Sequence, residues 1–347
     1  MISTVNAHRG DIGIYVNALG VVTPVSTVSI KSRVDGQLMA VNYQEGQEVR
    51  QGDSLLEIDP RPYQAALTQA EGQAARDKAL LENARLDLQR YEDAFARKAI
   101  PKQQLDTQIS TVHQYEGTVQ LDQGLVDNAK LQLAYCHITA PISGRVGLRV
   151  VDPGNIVHAS DTAPLAVITQ LKPMAVLFNV AEDHLPKIQA QLKNGNQLTV
   201  EAYDRTQLVK IATGTLLTLD NQIDTTTGTV KLKALFDNND EALFPNQFVN
   251  ARLLVNTQRN VVLLSNPIIQ RNAEGAFVYL LKPDQTVAMQ SITLGTINGN
   301  EAEVEGIKPT DVIASDNFSR LFEGAKVTLR SAKSQGKPDP QKAAQPK

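Results

Sequence analysis

Side chains able to do chemistry are thinly spread through this chain of 347 residues. Five histidines (His8, His113, His137, His158 and His184) form no i, i+4 pair and have no cysteine at metal-ligand spacing, so no zinc centre is indicated. Asp220 and Asp224 stand near each other in Asp220-Asn221-Gln222-Ile223-Asp224. Paired carboxylates suit general acid–base work, but a strand end entering a turn is the simpler reading. Met1, Met39, Met174 and Met289 are too dispersed for a thioether copper site. Cys136 is the single cysteine, which excludes an intramolecular disulfide. It reads as a small buried residue at a helix-to-strand junction rather than a nucleophile. No Gly-rich phosphate loop precedes a helix, and no Gly-x-Ser-x-Gly occurs. These residues point away from an enzyme, a metal site and a bound cofactor.

Composition narrows the classes further. A formal net charge of −3 gives no global field favouring nucleic acid or an anionic membrane surface. A hydrophobic content of 42% describes a folded chain. No apolar run approaches the roughly 20 residues of a membrane span, and the N-terminus lacks the three sections of a signal peptide. An export signal or anchor upstream of this sequence is the expectation, for reasons of architecture.

What must position any functional surface is a repeated strand pattern. Val34-Asp35-Gly36-Gln37, Glu45-Gly46-Gln47-Glu48-Val49 and Gly52-Asp53 are matched by Ile142-Ser143-Gly144-Arg145, Pro153-Gly154-Asn155-Ile156-Val157 and Ser160-Asp161. The glycine spacing is the same in both copies, and Gly36, Gly46, Gly144 and Gly154 read as structural turns. Matched halves must meet to close one small sheet, which forces the segment between them outward as an arm. A lipoyl- or biotin-carrying domain has a similar pattern, but its halves are joined by a tight turn bearing the modified lysine. No lysine stands at either junction here, and a long helical segment occupies that place.

The helical segment begins at Asp59-Pro60-Arg61-Pro62, where a capping carboxylate precedes proline at the first helical positions. Leu67, Ala70, Ala74, Leu81, Ala84, Leu88, Tyr91 and Phe95 keep three- and four-residue steps, broken only by Asp77. Leu105, Val112, Val119, Val126 and Leu133 recur as heptads, and Tyr115 and Ala129 add part of a second row that Gln108 and Asp122 dilute. Lys98-Ala99-Ile100-Pro101 separates the two helices. A hairpin of about 50 Å results. It is either a self-contained coiled-coil spacer or a docking arm. Beyond it, residues 170–260 read as strands with one short helix, a small β-barrel. Residues 261–330 form another strand block, and the Lys/Pro/Gln-rich tail 331–347 is expected to be disordered.

Taken in order, several of these segments resemble one family: the periplasmic adaptor, or membrane fusion, proteins of RND-type tripartite multidrug efflux pumps. The carriers are the split lipoyl-like halves, Ile58-Asp59-Pro60-Arg61-Pro62-Tyr63, Leu133-Ala134-Tyr135-Cys136-His137-Ile138-Thr139-Ala140-Pro141, and Asp224-Thr225-Thr226-Thr227-Gly228-Thr229-Val230-Lys231-Leu232. The wording is most similar to the MdtA-like and AcrA-like branch.

The resemblance implies a mainly β, elongated multidomain chain carrying a long α-helical coiled-coil hairpin. Its parts are a membrane-proximal β domain (1–20 and 261–330), a β-barrel (21–30 and 170–260), a split lipoyl-like sandwich (31–59 and 137–169) and the hairpin (60–136). It also implies a non-catalytic protein of the periplasm associated with the inner membrane, with no cofactor. Its partners are an inner-membrane RND transporter, an outer-membrane channel of TolC type, and further copies of itself in a ring, six by resemblance. The family's channel-docking motif is an Arg, a Leu four later and a Ser eleven after the Arg. Here those positions hold Arg90, Ala94 and Pro101. Phe95 is expected to stand in for the leucine, and Arg97 and Lys98 to add polar contacts. Near the end of the barrel, where relatives carry Pro-Gly, this chain has Pro245-Asn246. Three rival readings are an adaptor for an ABC-type exporter, a metal-efflux adaptor, and a cytosolic coiled-coil scaffold.

Overall fold

The computed structural model describes residues 1–329, so the tail 331–347 lies outside the described residues. The chain divides into two compact units. One comprises Met1–Val21, Val176–Phe236 and the chain from Phe248; the other comprises Val22–Ala175 and Asp237–Gln247.

In the second unit the repeated halves interleave. One four-stranded sheet has the order Thr27–Ile30, Ala166–Thr169, Gly144–Val146, Glu48–Val49; the other has His137–Thr139, Ser54–Ile58, Gly36–Val41, Ile156–Val157. Each sheet therefore takes two strands from each half, and matched strands of the two copies lie in opposite sheets. Neither half can bury its apolar face alone. Leu38, Leu55, Ile58, Ala166 and Ile168 are fully buried where the two sheets' side chains meet.

The hairpin leaves and returns on neighbouring strands. Leu56 and Glu57 pair with Ile138 and His137, and the Ile58 N–H donates to the Cys136 carbonyl at 2.9 Å. Helix α1 (Arg61–Ala96) and helix α2 (Lys102–Tyr135) consequently start and end side by side. Helix α1 is rich in Ala, Leu, Gln and Glu, and α2 in Gln and Leu, all strong helix formers. Asp59 is not the helix cap expected of it: Pro60 holds that position and no side chain caps α1. The Asp59 carboxylate instead accepts the Arg61 N–H at 3.1 Å and grips its guanidinium at 2.7 and 2.8 Å. Those bonds hold its pKa down to about 2. Cys136 is fully buried where α2 ends, and burial pushes its thiol pKa up.

In the first unit, six strands follow one another as neighbours: Phe248–Ser265, Thr199–Tyr203, Lys210–Asp224, Thr229–Phe236, Met174–Ala181 and His8–Pro24. The last pairs back with the first, from Phe248↔Val21 to Leu263↔His8, which closes a barrel and removes its free edges. Strict alternation drives this. In Thr229–Phe236, Val230, Leu232, Ala234 and Phe236 all point inward and are buried. The short helix α3 (Leu185–Lys193) contributes the fully buried Ile188.

The two long strands run on past the barrel, so the expected boundaries at residues 20 and 260 fall inside continuous strands. Leu263–Ser265 pairs with Glu301–Glu305, and the sheet continues through Val287–Asn298, Gly275–Leu281, Val312–Ala314 and Thr4–Asn6. Ala7 shares one apolar cluster with Leu264, Val278 and Ile313, and Ile2 another with Tyr279 and Val287, so the N-terminal residues complete the C-terminal strand block. Among the described residues no helix is long and apolar enough to cross a membrane.

Candidate docking surface at the hairpin tip

The turn between α1 and α2 closes by two backbone bonds. The Lys98 N–H donates to the Phe95 carbonyl at 2.8 Å and the Ala99 N–H to the Ala94 carbonyl at 2.9 Å, the pairing of a Schellman motif. That closure requires a left-handed residue, and Lys98 supplies it with φ 61°. Glycine is the usual occupant; a side chain there costs roughly 1–2 kcal/mol. Pro101 precedes α2 in an extended conformation (φ −72°, ψ 151°), and no side chain caps that helix.

Around this turn the side chains expected to dock face solvent. Arg90 is tethered to Asp87 at 2.8 Å while 76% of its side chain stays exposed. Arg97 and Lys98 are exposed and make no ion pair among the described residues. Phe95 presents an exposed ring, Ala94 is half-buried and Pro101 is exposed. Tyr91 and Lys102, neither expected among the docking residues, are also exposed here. Spacing puts Tyr91 and Phe95 in the seam row, but the seam's second apolar cluster reaches Leu88 and Val112 and includes neither. The surface offers cations and aromatic rings on helical backbone. Such groups can pack against other helices.

The four repeat glycines do two different jobs. Gly46 and Gly154 occupy turns with φ 74° and 98°, where any side chain is strained. Gly36 and Gly144, expected in turns, instead begin strands. A Cβ on Gly36 would lie 2.7 Å from the Ile58 side chain, and on Gly144 2.6 Å from the Thr169 carbonyl oxygen. The first glycine of each copy thus permits close approach of the strands, and the second permits the turn.

Sequence reading missed an ionic clasp in the same unit. Glu241 accepts from Lys172 at 2.8 Å and from Arg145 at 2.7 Å, which holds its carboxylate down to about 2. Arg145 also lies 3.6 Å from Glu48. The segment 237–247 is held for this by Asn238, which is buried, donates to the Leu171 and Leu243 carbonyls at 2.9 and 3.1 Å and accepts from the Leu243 N–H at 2.9 Å. Nothing local in the sequence joins residues so far apart. Asn246 takes φ 64°, the conformation Gly would hold after Pro245. Among the described residues no cluster of three or more His, Cys, Asp or Glu side chains could hold a metal ion.

Comparison with known proteins adds the family. Residues 26–169 match the RND MFP barrel-sandwich hybrid domain, and residues 173–257 the RND MFP β-barrel domain. The chain is 48% identical over 321 residues to the multidrug resistance protein MdtA of Pantoea ananatis, covering 92% of this chain and 78% of that protein. It is 46% identical over 326 residues to MdtA of Escherichia coli O157:H7, covering 94% and 79%. The crystal structure of MacA from Actinobacillus actinomycetemcomitans shares the fold, with a TM-score of 0.53 at 21% identity, covering 90% of this chain and 99% of that one. A split sandwich interrupted by a helical hairpin, a closed barrel and these matches place the chain in the family of RND membrane fusion proteins.

Proposed function

We propose that this chain is the periplasmic adaptor subunit of a tripartite RND multidrug efflux system. It joins an inner-membrane transporter to an outer-membrane channel of TolC type and seals the conduit between them. The observation that supports this best is the hairpin: two helices of 36 and 34 residues rooted on adjacent strands and ending in exposed cationic and aromatic side chains. At 1.5 Å per residue such a hairpin reaches about 50 Å, long enough to carry a contact far from its root.

In this reading the tip residues Arg90, Phe95, Arg97 and Lys98 pack against helices of the channel. The strand block built from both chain ends faces the transporter, on the periplasmic side of the inner membrane. Copies assemble into a ring of six, so weak single contacts combine through high effective concentration. The protein does no catalysis; its work is docking and sealing. The MdtA relatives' printed name, multidrug resistance protein, suggests the cargo class.

Photo-crosslinking in intact cells tests this, from Ala94 at the tip and from the exposed Phe322 in the strand block. Capture of an outer-membrane channel by the first and an RND transporter by the second is the expected result. An ABC permease captured from Phe322 would overturn the motor assignment. Adducts with cytosolic proteins alone would overturn the adaptor reading.

A further inference from the structure

The hairpin seam is not apolar throughout. Leu67, Ala70 and Ala74 pack with Val126, Ala129 and Leu133 near the root, while Leu81, Ala84 and Leu88 pack with Val112, Tyr115 and Val119 nearer the tip. Between these clusters the two helices place Asp77 and Asp122, each only 3% exposed. The two carboxyls that interrupt the apolar rows are therefore buried together in the middle of the seam, one from each helix, and each acts on the other.

Their surroundings are unequal. Asp77 accepts from Gln73 Nε2 at 2.7 Å and from Arg76 Nε at 2.8 Å, all within α1. Asp122 Oδ2 is buried with no protein donor bonded to it. Two ionised carboxylates are acceptors only and repel at close range, so burying them together favours a proton on one. The side with no donor of its own is where that proton belongs. The charged groups acting on the pair are Arg76 from α1 and each carboxyl on the other.

We propose that Asp77 and Asp122 share a single proton across the α1–α2 seam, making the hairpin a pH-responsive element that is tightest with Asp122 protonated and loosens when both carboxyls ionise. Burial and the Asp77 charge push the Asp122 pKa up, and the Arg76 bonds pull the Asp77 pKa down. Asp122 therefore favours the closed seam below its unfolded pKa, and that advantage is lost as pH rises through its higher folded value. Asp77 favours closure above its unfolded pKa and loses that as pH falls through its lower folded value. The closed hairpin is most stable between the two titrations.

Hydrogen–deuterium exchange of the full chain between pH 5 and 8, corrected for intrinsic rates, reads the opening of α1 and α2 around these residues. The strand Ser54–Ile58, whose Leu55, Leu56 and Ile58 are buried, serves as an internal control. The opening constant is expected to rise with pH by up to about tenfold per unit, the limit for release of one proton, and then level off. Asp122→Asn, whose amide donates to Asp77 without titrating, is expected to stay protected throughout. Equal pH dependence in wild type and Asp122→Asn would overturn the proposal, as would a wild type that does not respond. Carboxyl ¹³C titration of the wild-type chain provides a second readout free of any variant. One aspartate titrating well above the usual value near 4 is expected, and two ordinary carboxylates would overturn it.

Discussion

The sandwich and the hairpin it carries solve the same problem, burying apolar side chains, with very different margins. In the sandwich two sheets close on Leu38, Leu55, Ile58 and Ile168, all with no exposed surface. In the hairpin two helices meet along one narrow seam, whose best-buried apolar residues, Ala84, Val112 and Val126, each keep 5% of their surface exposed. The sandwich admits no charge to its core cluster; the hairpin holds two carboxyls in the middle of its seam. A two-helix element has too few layers to exclude polar groups, and its neighbours are close to water. Core density belongs to the part that must keep one shape, and the polar break belongs to the part whose outer faces are free to pair.

The sharpest way to break this contrast is to cut the same side chain in both places. Leu56→Ala in the sandwich is expected to cost about 4 kcal/mol, towards the upper end of such cavity mutations. Leu81→Ala in the seam is expected to cost about 2 kcal/mol, because a two-helix seam collapses into the gap more readily. Urea unfolding followed by probes placed in each element measures both. Equal losses would erase the distinction.

Glycines give a smaller contrast of opposite sign. Gly154→Ala has open space around it but a φ of 98°, so the roughly 1–2 kcal/mol penalty is a backbone cost alone. Gly124→Ala lies on the exposed face of α2 with nothing near its new methyl, and is expected to stabilise by about 0.8–1.0 kcal/mol. Thermal melts of the two variants should shift in opposite directions.

The smallest effect is confined to acid. Glu241, held at about 2 by Lys172 and Arg145, adds stability that is present above its ordinary carboxylate range and lost as pH falls through about 2. Glu241→Gln should therefore lower the urea midpoint slightly at pH 5 and converge with wild type near pH 2. A constant difference across that range would assign the clasp to packing rather than charge.

Much of this was legible from residue order because it depends on local periodicity. The three- and four-residue steps from Leu67 to Leu88 and the heptads from Val112 to Leu133 can bury their rows only as helices paired with one another. The alternation in Val230, Leu232, Ala234 and Phe236 can be buried only as a strand. The repeated glycines announced two halves of one sandwich, although spacing alone could not separate Gly46 and Gly154, set by φ, from Gly36 and Gly144, set by the approach of Ile58 and Thr169.

The tip was legible as a position, but the left-handed Lys98 was not, since a lysine carries no signal for positive φ. Asp77 and Asp122 were visible each as a flaw in its own row. Only the antiparallel register of α1 against α2 turned two flaws into one pair. Arg145, Lys172 and Glu241 meet because the chain returns to its second unit at 237–247, bringing Glu241 to residues about 70 and about 100 positions earlier. Periodicity, helix and strand propensity, and repeat spacing are properties of neighbours along the chain, so the sequence alone determined the elements and their pairing into a split sandwich. Proton sharing, ion clasps and close backbone approach depend on distances between remote atoms, and only the tertiary structure decided those.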